Sequence, residues 1–145
     1  MNYIFSAIFL YFFLGFLLYI FQRRIVFNKS GHPGAPKDYN LDNTEEVYIN
    51  TEDNLKLLSW YHKGNNSLPL IVYFHGNSFH IGDRAYRIQR YIEKNWSVLL
   101  VSWRGFGGNK GNPTEKNLYK DAEAVLKWIK NNTEFKFKEL VIYGE

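Results

Sequence analysis

The sequence predicts an α/β fold with a largely parallel sheet, entered through a hairpin and preceded by one apolar helix. Three observations predict it. Residues 3–21 (YIFSAIFLYFFLGFLLYIF) carry no charge. Residues 68–74 (LPLIVYF), 96–103 (WSVLLVSW) and 140–143 (LVIY) are short, mostly apolar runs, as expected of strands covered on both faces. Two stretches of helical spacing lie between them, and strands alternating with helices imply parallel crossover units. The expected order is hairpin, strand, helix, strand, helix, strand.

The first element is a membrane anchor. About 19 uncharged residues at 1.5 Å rise span roughly 28 Å, close to the ~30 Å hydrocarbon thickness of a bilayer. Tyr3 and Tyr19 place amphipathic rings near its two ends. A cleaved signal peptide fits less well. No Lys or Arg precedes the apolar run, and no small-residue cleavage site follows it. Arg23, Arg24 and Lys29 come next, and an excess of positive charge after a span places the following chain in the cytoplasm. These residues supply three charges of a formal net charge of +4, and every acidic residue lies beyond them. The remainder is close to neutral. That argues against a nucleic-acid partner, which needs a concentrated basic face, and favours the lipid bilayer with its anionic headgroups. With no cysteine, disulfides and Cys-ligated metals are excluded.

The chain divides into an anchor with its basic flank (residues 1–27), a Gly/Pro/Asn-rich lead-in (28–45) and an α/β domain (46–145). In the domain, residues 46–49 and 56–61 flank a polar turn and read as a hairpin. Gly82 and Asp83 precede a helix on which Ala85, Ile88 and Ile92 share a face. A glycine-rich loop (RGFGGNKGNP) follows the second apolar strand. Thr114 is the expected N-cap of the next helix, with Glu115 in its first turn. Leu118, Ala122, Val125, Leu126 and Ile129 form the apolar face, and Asn131–Asn132 end it.

In such folds chemistry sits at the carboxyl ends of the strands. The sequence offers His75-Gly76-Asn77-Ser78, the loop from Arg104 to Gly111, and Gly144-Glu145. A glycine after a buried strand lets the backbone turn sharply and present a peptide N–H, the chemistry of an oxyanion-hole loop. The alternative is an ordinary strand-to-helix turn. His75 and His80 invite a metal or base assignment, but H-x4-H across a turn has no evident third ligand, and no metal or other cofactor is expected. His75 reads as a loop-shaping residue and His80 as a helix-start residue. The glycine-rich loop could suggest a small nucleotide-binding α/β protein. However, Lys110 stands where a dinucleotide fingerprint needs its third glycine, and G-x-x-x-x-G-K-[ST] is absent.

FHGN after one strand, WRGFGGNKGNP after the next, a helix containing Asp121-Ala122 and a strand ending VIYGE together resemble the α/β-hydrolase superfamily. They are most similar to its membrane-anchored, bud-emergence-type serine hydrolases, whose domain is often called serine-aminopeptidase-like. Two positions depart from the family's usual D-x-R-G-x-G-x-S loop: Ser102 stands for the acid and Asn109 for the last serine. The resemblance implies hydrolysis of an ester, thioester or amide through an acyl-enzyme. It implies an oxyanion donor at the backbone N–H of Asn77 or Ser78. It makes His75, Gly76, Arg104, Gly105 and Gly107 loop-shaping residues, and Gly144-Glu145 the start of the G-x-S-x-G nucleophile elbow. The serine is then expected immediately after Glu145, with acid and base later. The 145 residues read as the amino-terminal portion of such an enzyme, inert alone, with an aggregation-prone edge at residues 141–143. Two further readings stay open: a non-catalytic membrane-tethered module that binds a partner at that edge, and half of a split hydrolase completed by a second polypeptide.

Overall fold

A computed structural model describes residues 2–145; Met1, the first residue of the expected anchor segment, lies outside the described residues. The apolar N-terminal run forms helix α1 (Asn2–Val26), with Arg23 and Arg24 in its last turn. Its segment Tyr3–Val26 is long and apolar enough to cross a membrane and is buried against nothing else in the molecule.

Strand β1 (Asn28–Lys29) follows without a linker. The lead-in is irregular but not loose. A 3-10 turn spans Pro36–Tyr39, Pro36 and Leu41 are buried, and the Tyr39 hydroxyl donates to the Pro33 carbonyl at 2.6 Å. The hairpin consists of β2 (Thr44–Asn50) and β3 (Lys56–His62), paired antiparallel from Thr44↔His62 to Asn50↔Lys56. Thr51 closes its turn: the hydroxyl accepts from Leu55 N–H at 3.0 Å and donates to Asp53 at 2.6 Å.

Next come β4 (Leu70–Phe74), the two-residue β5 (Ser78–Phe79), helix α2 (Ala85–Ile92), β6 (Val98–Val101), helix α3 (Glu115–Asn132) and β7 (Leu140–Gly144). The main sheet has the order β2-β3-β6-β4-β7. It is mixed. β4, β6 and β7 are parallel, while the hairpin joins antiparallel through β3 against β6. From β4 the chain passes through α2 to β6, then back through α3 to β7 on the far side of β4. Reversing direction in this way puts the two helices on opposite faces if both crossovers keep the usual hand.

The two cores follow from strand alternation. Ile71, Tyr73, Val98 and Leu100 face one side with Trp60, Ile81, Ala85 and Ile88. Leu70, Val72, Leu99 and Val101 face the other with Val125, Ile129 and Phe135. Covering on both faces explains why these strands read as continuous apolar runs. β7 lies at the sheet's edge, and there Val141 and Ile142 are exposed.

Thr114 caps α3, its hydroxyl accepting from Asn117 N–H. The buried stripe differs from the expected apolar face. It runs through Asp121, Ala124, Val125 and Ile129, while Leu118, Ala122 and Leu126 are half-buried. The cause is Asp121, fully buried because it meets Arg104, itself only 2% exposed. Asp121 Oδ1 accepts from Arg104 Nε at 2.8 Å and Nη2 at 2.6 Å, and its Oδ2 accepts the Arg104 backbone N–H at 3.1 Å. Arg104 Nη1 also donates to Asp53 at 2.7 Å, tying in the hairpin turn.

Removing one partner of a buried pair leaves an uncompensated charge, which costs about 3–5 kcal/mol. Asp121→Leu is therefore expected to lower the urea midpoint of the detergent-solubilised chain by that much stability. The double variant Arg104→Met/Asp121→Leu is expected to lose less than the sum of the two singles. Additive losses would contradict the pairing.

Candidate functional site

The carboxyl ends of β4, β6 and β7 converge on one cleft of about 270 Å³, lined by His75, Gly76 and Asn77 after β4, Trp103 and Phe106 after β6, and Gly144-Glu145 at the end of β7. Ligands in open α/β sheets bind at such carboxyl-end crevices.

His75 is buried at 2% exposure and joins two of the three loops. Its Nδ1 lies 2.7 Å from the Gly76 carbonyl, and its Nε2 lies 3.3 Å from the Trp103 backbone nitrogen. An N–H can only donate, so Nε2 accepts and Nδ1 carries the proton, giving a neutral ring. The Trp103 indole N–H donates back to the His75 carbonyl at 2.8 Å. Burial lowers the His75 pKa to about 4. With both ring nitrogens engaged inside the fold, His75 shapes the loop. His80 lies elsewhere, its Nδ1 3.0 Å from Asp83 at the start of a 3-10 turn.

Glu145 joins the third loop. Its backbone N–H donates to the Phe74 carbonyl at 3.1 Å, and its carboxylate accepts the Gly76 N–H at 2.9 Å. Arg84 Nε donates to the same carboxylate at 2.9 Å, and Arg87 approaches its other oxygen at 3.3 Å. Burial alone would raise the carboxyl pKa, but the Gly76 N–H and the Arg84 and Arg87 guanidiniums outweigh it and hold it below the usual value. The Gly76 amide is thus committed to Glu145. On the expected oxyanion loop the next amides belong to Asn77, which is exposed, and Ser78, which pairs with Asn28.

The glycine-rich loop faces inward. The Gly105 N–H donates to the carbonyls of Asn109 and Lys110. Gly105 has φ +79°, and a Cβ there would come within 2.9 Å of the Gly111 carbonyl oxygen, so only glycine fits. Gly107 is also left-handed, at φ +56°. Asn109, one of the two departures from the family pattern, accepts the Leu58 N–H at 2.9 Å and donates to the Ser102 carbonyl at 2.9 Å. Ser102, the other, has its hydroxyl 3.4 Å from the Phe106 carbonyl. Among the described residues, no group of three or more His, Asp or Glu side chains could hold a metal ion.

Sequence reasoning missed several contributors. Arg84 and Arg87 were legible only as polar residues of a helix, because their partner Glu145 is about 60 positions away. Phe27 lines the cleft beside Phe106, with ring centroids 6.2 Å apart and edge-on. Asn77 uses its side chain as well, donating from Nδ2 to the Val26 carbonyl at 2.9 Å.

His75 ties stability to pH. Its folded pKa of about 4 lies below the ordinary 6.5, so between these values the unfolded chain binds the extra proton. Stability from the neutral ring is complete above pH 6.5 and is lost as pH falls toward 4, by about 3 kcal/mol in total. A denaturation series over that range, in detergent, should show this slope in the native chain. The His75→Gln variant should lack this slope; a variant with an unchanged slope would contradict the assignment.

No family profile matches the chain. Among curated proteins, Schizosaccharomyces pombe bem46 is 29% identical over 143 residues, covering 91% of this chain and 47% of that protein. The Arabidopsis thaliana α/β-hydrolase domain-containing protein WAV2 is 27% identical over 137 residues, covering 88% and 44%. Among solved structures, a Pyrococcus furiosus esterase superposes with a TM-score of 0.64 at 26% identity, covering 81% of this chain and 45% of the esterase. The chain spans about half the length of the curated relatives it matches. A mixed sheet with its loops converging after β4, β6 and β7, and relatives of this kind, place the chain in the α/β-hydrolase superfamily, alongside the bem46-type proteins.

Proposed function

We propose that these residues form the membrane-anchored, oxyanion-hole portion of a serine hydrolase that cleaves an ester, thioester or amide through an acyl-enzyme. One observation carries the reading. The Gly144-Glu145 strand end is fastened to the loop after β4 by Glu145 N–H to Phe74 and Gly76 N–H to Glu145. A serine at the third position of a G-x-S-x-G elbow beginning at Gly144 would emerge beside Asn77. There a base would take its proton as the oxygen attacks the acyl carbon, and the Asn77 N–H would meet the negative charge developing on the acyl oxygen. The family's serine, acid and base have no counterpart assigned among the 145 residues, so the polypeptide alone is expected to be inert.

Helix α1 supports anchoring by its length and composition, and Arg23, Arg24 and Lys29 favour a cytoplasmic domain. A second reading draws on the exposed edge of β7. Val141 and Ile142 offer an open strand to which further hydrolase strands, including those of a complementing polypeptide, could add. A nucleotide site gains no support from the glycine-rich loop, whose Gly105 N–H is turned inward.

Two measurements test the reading. The 145-residue polypeptide should take up no fluorophosphonate probe; stoichiometric labelling would contradict it. Completed with the remaining residues of a curated relative, the chimera should label. Its Asn77→Pro variant, which lacks that amide, should lose about 10²–10³ in kcat relative to Asn77→Ala, which lacks the same side-chain bond to Val26 but keeps the amide. Unchanged turnover would remove Asn77 from the oxyanion hole.

A further inference from the structure

Helix α1 does not end on a flexible tether. The Phe27 N–H continues its hydrogen bonding to the Arg23 carbonyl at 2.9 Å. One residue later the Asn28 N–H donates to the Asn77 carbonyl at 3.1 Å, and the Asn77 side chain returns a bond to the Val26 carbonyl at 2.9 Å. Asn28 and Lys29 then pair in parallel with Ser78 and Phe79. The helix end is therefore stitched to the same loop that turns at His75-Gly76. If α1 spans a bilayer, that loop lies at the headgroup level, with no length of chain to lift it away.

Three features of this face fit contact with lipid. Phe79, paired in register with Lys29, holds a left-handed backbone at φ +62° while the residue is 49% exposed. A bulky residue in that conformation is strained, and such strain collects at functional positions. Arg23, Arg24 and Lys29 surround a hollow of about 450 Å³ beside the helix end, suited to anionic headgroups. The cleft wall itself is apolar and aromatic: Phe27 comes from the anchor, and Phe74, Trp103, Phe106 and Leu118 from the domain. The Phe74 and Trp103 rings stack at 4.7 Å.

We propose that the ribbon joining Asn28–Lys29 to Ser78–Phe79 presses the cleft mouth against the membrane surface, and that the substrate is a leaflet-resident acyl ester or thioester. Its chain passes from the bilayer over the Phe27–Phe106 pair and lies along the aromatic wall, which puts the acyl carbonyl at the Asn77 loop. This inference rests on the anchored-hydrolase reading above and adds to it where the substrate comes from and what part of it the cleft holds.

The test is photo-cross-linking of the full chain in vesicles of phosphatidylcholine and phosphatidylglycerol. The probe is phosphatidylcholine with a diazirine at the end of one acyl chain, and adducts are mapped by mass spectrometry. Adducts are expected on α1 and also on Trp103 or Leu118, with none at Asn66 on the opposite edge of the sheet. Adducts on α1 alone would overturn the inference while leaving the anchor standing. Their absence from α1 would overturn the anchor reading and the inference with it. Asn28→Pro removes the amide that bonds to Asn77; losing that one hydrogen bond should reduce the cleft adducts about fivefold with α1 adducts unchanged. Cleft adducts as strong in this variant as in the native chain would overturn the ribbon's part.

Discussion

Arg104 is a cation removed from water, and the rest of the carboxyl edge depends on how it is satisfied. Burial alone would lower its pKa, but the paired Asp121 and Asp53 more than offset this and hold it charged. In turn, its hydrogen bonds are the main reason that the Asp53 carboxyl sits far below the ordinary carboxylate range. The three residues come from the hairpin turn, the loop after β6 and the middle of α3. Fixing Arg104 fixes Trp103 beside it, whose backbone N–H meets His75. His75 then sets the Gly76 carbonyl, and the Gly76 amide meets Glu145. A structural ion pair on one side of the sheet is thus linked by single hydrogen bonds to the proposed oxyanion loop on the other.

The division of labour follows from topology. Parallel strands β4, β6 and β7 deliver their carboxyl ends to the same edge, so loops far apart in sequence become neighbours. The antiparallel hairpin contributes Asp53 from its turn rather than a cleft residue. The edge strand β7 has its outer residues exposed, although it carries the proposed elbow start. Its position is secured through β4 pairing, the stacked Tyr73–Tyr143 rings at 4.5 Å, and Glu145 held by Arg84.

What was legible in the sequence was what depends on short-range pattern. The apolar runs gave β4 and β6 because both faces of each are covered, while β7 at the edge was legible from its run alone, with Val141 and Ile142 left exposed. Thr114 gave the start of α3 because a cap acts within a few residues. The His-Gly-Asn and Gly-Glu motifs stood out because each directly follows an apolar strand run. What was not legible depends on contacts between distant positions. The rotated stripe of α3 needs the Arg104–Asp121 pair. The β1–β5 ribbon has only two residues per strand, too few to show a period. The grip of Arg84 and Arg87 on Glu145 looks, in sequence, like any exposed helix charge. Domain boundaries read from composition carried no sign that Phe27, at the end of the expected anchor segment, would line the cleft.

The most direct test of the central claim is a crystal structure of the chain completed by a relative's remaining residues and inhibited at its serine by a phosphonate. A phosphonyl oxygen is expected about 2.7–3.1 Å from the Asn77 backbone nitrogen, with Gly76 N–H still on Glu145. A phosphonyl oxygen held by other groups, with the Asn77 N–H turned away from it, would remove Asn77 from the oxyanion hole.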